Sequence, residues 1–138
     1  MATARVEPAA RPTATGHPAV RVRTRAGTAV ACWRGDPAEA GGERHIEWSV
    51  DEDLAWGRNA RRAPADAPAD APVLARDGDR TVFRGRLRLT PDGAAVLEVD
   101  DARLVFDLAG PPPPADAEGA WVEVRVAWDA VGVWPYAV

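Results

Sequence analysis

Residues 81–108 constrain the fold of this chain more than any other stretch, because they come close to dictating their own strand pairing. Val82-Phe-Arg-Gly-Arg-Leu-Arg-Leu89 alternates between apolar and charged positions after its opening pair, and Ala95-Val-Leu-Glu-Val99 and Ala102-Arg-Leu-Val-Phe-Asp-Leu108 follow across two short polar breaks. Alternation of period two is the signature of a half-buried strand. A three-residue loop at Pro91-Asp92-Gly93, with Gly93 in the left-handed position, sets Leu87 opposite Leu97 and Arg86 opposite Glu98. A two-residue loop at Asp100-Asp101 then sets Leu97 opposite Leu104 and Glu98 opposite Arg103. The two turns are argued separately, yet they put Phe83, Leu87, Leu97, Val99, Leu104 and Phe106 on one face. Arg84, Arg86, Arg88, Glu98, Arg103 and Asp107 fall on the other. Slipping either turn by one residue would mix the faces, so the register is strongly specified.

The rest of the chain reads as β structure as well. Val20-Arg-Val-Arg-Thr-Arg25 and Thr28-Ala-Val-Ala-Cys-Trp33 form a candidate hairpin about Ala26-Gly27. His45-Ile-Glu-Trp-Ser-Val50 is a candidate strand, and Asp51-Glu-Asp-Leu-Ala-Trp56 a candidate short helical turn with acids at its start. Gly119-Ala-Trp-Val-Glu-Val-Arg-Val-Ala-Trp128 and Val131-Gly-Val-Trp-Pro-Tyr136 read as a C-terminal hairpin over about 120–136, pairing Val126 with Val133 and Arg125 with Trp134.

The expected fold is therefore all-β, a small antiparallel barrel or sandwich in one domain spanning 19–138. A three-strand meander, a long connection and a terminal hairpin resemble the strand order of an OB-fold over residues 80–138. An SH3-like barrel or a small sandwich fits the same elements. Gly85, in mid-strand, suits a sharp coil. Residues 1–18 have no period and read as a disordered tail. The repeat Ala-Pro-Ala-Asp-Ala-Pro-Ala-Asp-Ala-Pro within 57–72 reads as a long loop.

Composition narrows the function classes. All 17 basic residues are arginine, beside 21 acids and a net charge of −4. The lack of Lys and the wealth of Ala, Arg, Gly and Pro point to a GC-rich genome, which discounts arguments from arginine abundance alone. Cys32 is the only cysteine, so no internal disulfide forms, and no run approaches the ~20 apolar residues of a membrane helix. The opening residues lack the apolar run of a signal peptide, and the expected location is cytoplasmic, with no membrane partner.

No catalytic constellation is evident. Cys32 and His45 lack a glycine elbow, a helix start and an orienting third residue. His17 and His45 are isolated, and the consecutive acids Asp51, Glu52 and Asp53 lack a metal-loop spacing, so neither a metal nor a cofactor is expected. Two candidate surfaces remain. Trp121, Glu123, Arg125, Trp134 and Tyr136 share the outer face of the terminal hairpin and form a candidate recognition surface. Arg21, Arg23, Arg25, Arg84, Arg86 and Arg88 form a candidate anion patch if the two strands lie side by side, or a solvated ladder of ion pairs if they do not. These features favour a non-enzymatic module that binds a protein or peptide. An OB-type single-stranded nucleic-acid binder is the alternative, although acidic net charge opposes tight binding. A small-molecule enzyme ranks last.

Overall fold

The computed structural model describes residues 2–9, 16–64 and 71–136. Among these the strands are β1 (Ala2–Pro8), β2 (Ala19–Thr24), β3 (Gly27–Trp33), β4 (Gly42–Val50), β5 (Ala60–Arg62), β6 (Val73–Asp77), β7 (Arg80–Leu89), β8 (Ala94–Val99), β9 (Ala102–Asp107), β10 (Trp121–Ala127) and β11 (Val131–Pro135). Among the described residues no helix is long and apolar enough to cross a membrane.

Five strands close into a barrel. β1 pairs antiparallel with β2 and with β4, β2 pairs with β3, and β11 closes the ring between β4 and β3, running parallel to β3. Small residues fill its bore: Ala2, Ala4, Ala29 and Ala31 lie inside with Val6, Val20, Val22, Ile46 and Val133. Trp33 of β3 is fully enclosed, and its indole N–H donates to the Asp36 carbonyl at 2.8 Å, so the ring is buried without an orphaned donor.

The segment between β4 and β11 continues the same sheet beyond the barrel, joined to it where β6 meets β3 at Leu74 and Gly27, and this outer part, called the second sheet below, is built around β7. β6 and β10 flank the first part of β7, β8 takes over where β6 ends, and the short β5 lies beyond β10. One contiguous core joins barrel and sheet. Trp48 of β4 meets Phe83 of β7 edge to face across that junction, with centroids 5.9 Å apart.

The meander pairs as its alternation predicts. Leu87 faces Leu97, Arg86 faces Glu98, Leu97 faces Leu104 and Glu98 faces Arg103. Gly93 sits at φ +87° and Asp100 at +56°, the left-handed conformations these two loops need. A Cβ at Gly85 would lie 2.2 Å from the Glu98 carbonyl oxygen, so glycine is what lets β8 press against the bend of β7.

Several expectations are corrected. There is no terminal hairpin over 120–136, because β10 pairs with β7 and β5 whereas β11 pairs with β4 and β3. Val126 pairs with Thr81 and Arg125 with Val82, whereas Val133 pairs with Trp48 and Trp134 with Glu47. Asp129-Ala130 supplies none of the glycine or asparagine that a two-residue hairpin loop favours. Trp128 instead enters a 3-10 turn, Trp128–Ala130, and packs over Val30 and Cys32. The OB-like ring assigned to 80–138 is likewise not there: the closed barrel comes from residues 2–50 and 131–135, and the meander stands outside it.

The disordered tail assigned to 1–18 gives way to a barrel strand at Ala2–Pro8, where Ala2, Ala4 and Val6 point inward between Thr3, Arg5 and Glu7. Alanine in that alternation carries too little hydrophobicity to register as a strand. Residues 10–15 lie outside the described residues. The long loop assigned to 57–72 contains β5 and a buried Asn59, and residues 65–70 lie outside the described residues. The helical turn at 51–56 is extended instead, with Leu54 fully buried and bridged to Leu108.

Candidate functional site

The five residues of the expected recognition surface separate into two groups. Trp121, Glu123 and Arg125 lie on β10 in the second sheet, and Trp134 and Tyr136 lie on or just past β11 in the barrel.

Within the β10 group the charges of Glu123 and Arg125 are paired, whereas the buried Trp121 indole N–H has no hydrogen-bond partner among the described residues. Glu123 is almost wholly buried, with its carboxylate at the centre of three guanidinium groups. Oε2 accepts from Arg84 at 3.1 Å, and Oε1 accepts from Arg125 at 3.1 Å and from Arg61 at 3.4 Å. Burial alone would push the Glu123 carboxyl up, but the hydrogen bonds from Arg84 and Arg125 outweigh it and hold the group below its ordinary value. Burial would lower the Arg125 guanidinium, and its contacts with Asp77 and Glu123 raise it instead. Trp121 carries the Arg86 guanidinium over its ring at 5.1 Å.

The arginine triplets do not join into one patch, since β3 and β6 separate β2 from β7. Arg21 and Arg23 are exposed on the barrel, Arg21 reaching Glu7 at 4.0 Å. Arg25 pairs with Asp100 at 3.0 Å. Arg84 is bound to Glu123, and Arg86 donates to the Gly119 carbonyl at 3.1 Å. Arg88 pairs with Glu98 at 2.8 Å, the diagonal neighbour of the residue opposite it. This is a ladder of local neutralisation, with Arg21 and Arg23 as the more open pair.

The barrel group is different. Among the described residues the exposed large hydrophobics are Val105, Trp134 (45%) and Tyr136 (38%), so two of the three stand two residues apart at the C-terminal end of β11. The Trp134 indole N–H donates to Ser49 Oγ at 3.3 Å, and the Tyr136 amide donates to the His45 carbonyl at 2.9 Å. His45 Nδ1 lies 3.3 Å from Thr3 Oγ1 on the next strand. These contacts place an exposed aromatic pair on the closed barrel wall beside Glu47, Ser49 and His45. Reading β11 as the partner of β10 hid the three β4 residues. The outward parity of 45, 47 and 49 in β4 was the signal that could have placed them.

The outer face of β2 and β3 carries no exposed aromatic. Arg21 and Arg23 project there opposite Val30 and Thr28, while Val30 and Cys32 are buried, packed with Trp128. The Cys32 thiol donates to the Asp129 carbonyl at 3.6 Å. Among the described residues no group of three or more His, Cys, Asp or Glu is placed to hold a metal ion.

Comparison with family models, with curated proteins and with solved structures gave no match to this chain.

Proposed function

We propose that this chain is a non-enzymatic recognition module that binds a protein or peptide on the barrel wall at Trp134 and Tyr136. The observation that carries the reading is the pairing of two exposed aromatics at one strand end. Large aromatic side chains with a polar handle lose little entropy on binding and dominate interface energetics. Trp134 is already oriented by Ser49, and Glu47 and His45 offer polar groups at the rim.

The nucleic-acid alternative starts from the barrel itself. What supports it is a likeness of strand order: β1 to β3 form a meander closed by β4 and β11, which resembles the arrangement of an OB barrel. On such barrels single strands stack their bases on aromatics of the second and third strands. Here that face offers Arg21 and Arg23 but no ring, and Trp128 occupies part of it. The aromatic barrel wall therefore favours a protein ligand. The cytoplasmic location belongs to the same reading, supported by a single, buried cysteine.

A photo-crosslinking residue placed at position 136 tests the reading in cells. Trapping of one defined protein from position 136, and not from the more exposed position 105, is the expected result. Equal trapping from both positions, or none from 136, contradicts it.

A further inference from the structure

A second surface, independent of the aromatic wall, lies at the far edge of the second sheet. Two adjoining open clefts, of about 370 and 450 Å³, share Arg58, Asn59 and Arg125 in their walls, with Arg61 added in one and Arg80 in the other. We propose that this trough binds a multiply charged oxyanion of the phosphate type.

The charge balance carries the inference. The acids around the trough are Glu52, Asp77 and Glu123, and each is already engaged. Glu123 is shared by Arg61, Arg84 and Arg125. Asp77 is bound by Arg125. The Glu52 carboxylate accepts from the Asn59 amide at 2.9 Å and from the Ala127 backbone N–H at 3.0 Å, both neutral donors. Arg58 and Arg80 are exposed and make no ion pair among the described residues. Four lining arginines, Arg58, Arg61, Arg80 and Arg125, thus stand against two lining carboxylates, Glu52 and Glu123, in a protein whose net charge is −4. Asp53 and Asp79, next in sequence to the trough, pair with none of these arginines among the described residues.

The scaffold is also fixed before any ligand arrives. Asn59 is buried, donates to Glu52 and to the Asp53 carbonyl, and accepts from the Ala55 amide at 2.8 Å, which pins the bend that presents Arg58. Arg125 is held from both sides by Glu123 and Asp77. Preorganised guanidinium forks match the geometry of phosphate oxygens and bind them with charge-assisted hydrogen bonds. No aromatic residue lines either cleft, so a nucleobase would have nothing to stack on, and the ligand class is a compact oxyanion.

The test is a titration of the full chain with inorganic pyrophosphate at physiological salt, read on the arginine Nε–Hε resonances. Saturable shifts confined to Arg58, Arg61, Arg80 and Arg125 are expected. An Arg58→Gln/Arg80→Gln variant should bind about tenfold more weakly or worse, while its melting temperature stays unchanged. The same affinity in that variant overturns the proposal, as do shifts that grow without saturation and include Arg21 and Arg23 equally. Neither outcome bears on the aromatic wall, which shares no residue with the trough.

Discussion

Glu123 and Arg84 stand directly opposite each other on β10 and β7, and their side chains form an ion pair at 3.1 Å with only 4% and 12% of their surfaces exposed. A carboxylate so enclosed survives because Arg61 and Arg125 complete its coordination.

Removing that charge should be costly. Glu123→Gln leaves Arg84 enclosed without its counter-ion and should destabilise the fold by about 3 kcal/mol, as breaking one partner of a buried pair does. The pH dependence has a definite sign. The folded-state carboxyl lies below its ordinary value of 4.5, so its contribution is complete above that value and fades as pH falls through the folded value. Denaturant unfolding of both proteins at neutral and acid pH should show their stability difference shrinking below pH 4.5. A difference that stays constant or grows would contradict the arrangement.

The meander separates buried from solvated positions within a few residues. Leu97 has no exposed surface and lies between Leu87 and Leu104, so Leu97→Ala should cost about 2–5 kcal/mol. Arg86 is exposed and makes one cation–π contact and one hydrogen bond, so Arg86→Ala should cost well under ~1 kcal/mol. Chemical denaturation checks both values.

Deleting residues 1–8 should abolish cooperative unfolding. β1 bridges β2 and β4, and without it the barrel is open along two edges with Val22 and Ile46 uncovered. A truncated protein that still melts in one sharp transition would show that the second sheet alone supports the core.

Single-stranded oligonucleotides should bind poorly. Each stacked base is worth about 1–3 kcal/mol on an exposed ring, and the outer face of β2 and β3 has none. Fluorescence anisotropy at two salt concentrations should show no sub-micromolar binding. Tight, steeply salt-dependent binding that an Arg21→Ala/Arg23→Ala variant loses would restore the nucleic-acid reading.

How much was legible in the sequence follows from how local each signal was. The meander was readable because leucine, arginine and glutamate alternate sharply, and Gly93 and the Asp100-Asp101 pair mark the loops that fix register. Ala2, Ala4 and Val6 were not, since a narrow barrel accepts alanine where a strand pattern expects larger residues. The parting of β10 from β11 depends on Trp128 finding Cys32 across the molecule, a contact between residues far apart in the chain. The Glu123 cluster was half legible: β10 carries Glu123 and Arg125 in phase, but Arg61 comes from a proline-rich stretch and Arg84 from a face read as solvated. Trp134 and Tyr136 were marked by parity against Val133, although their neighbours on β4 were not.

The measurement that bears most directly on recognition at the barrel wall is partner retention by the native chain compared with a Trp134→Ala/Tyr136→Ala variant of equal melting temperature, with Val105→Ala as the exposed-apolar control. Loss of one defined protein partner in the aromatic variant, with retention in the control, is the expected result. Equal retention by all three proteins would place recognition elsewhere on the molecule and contradict the assignment.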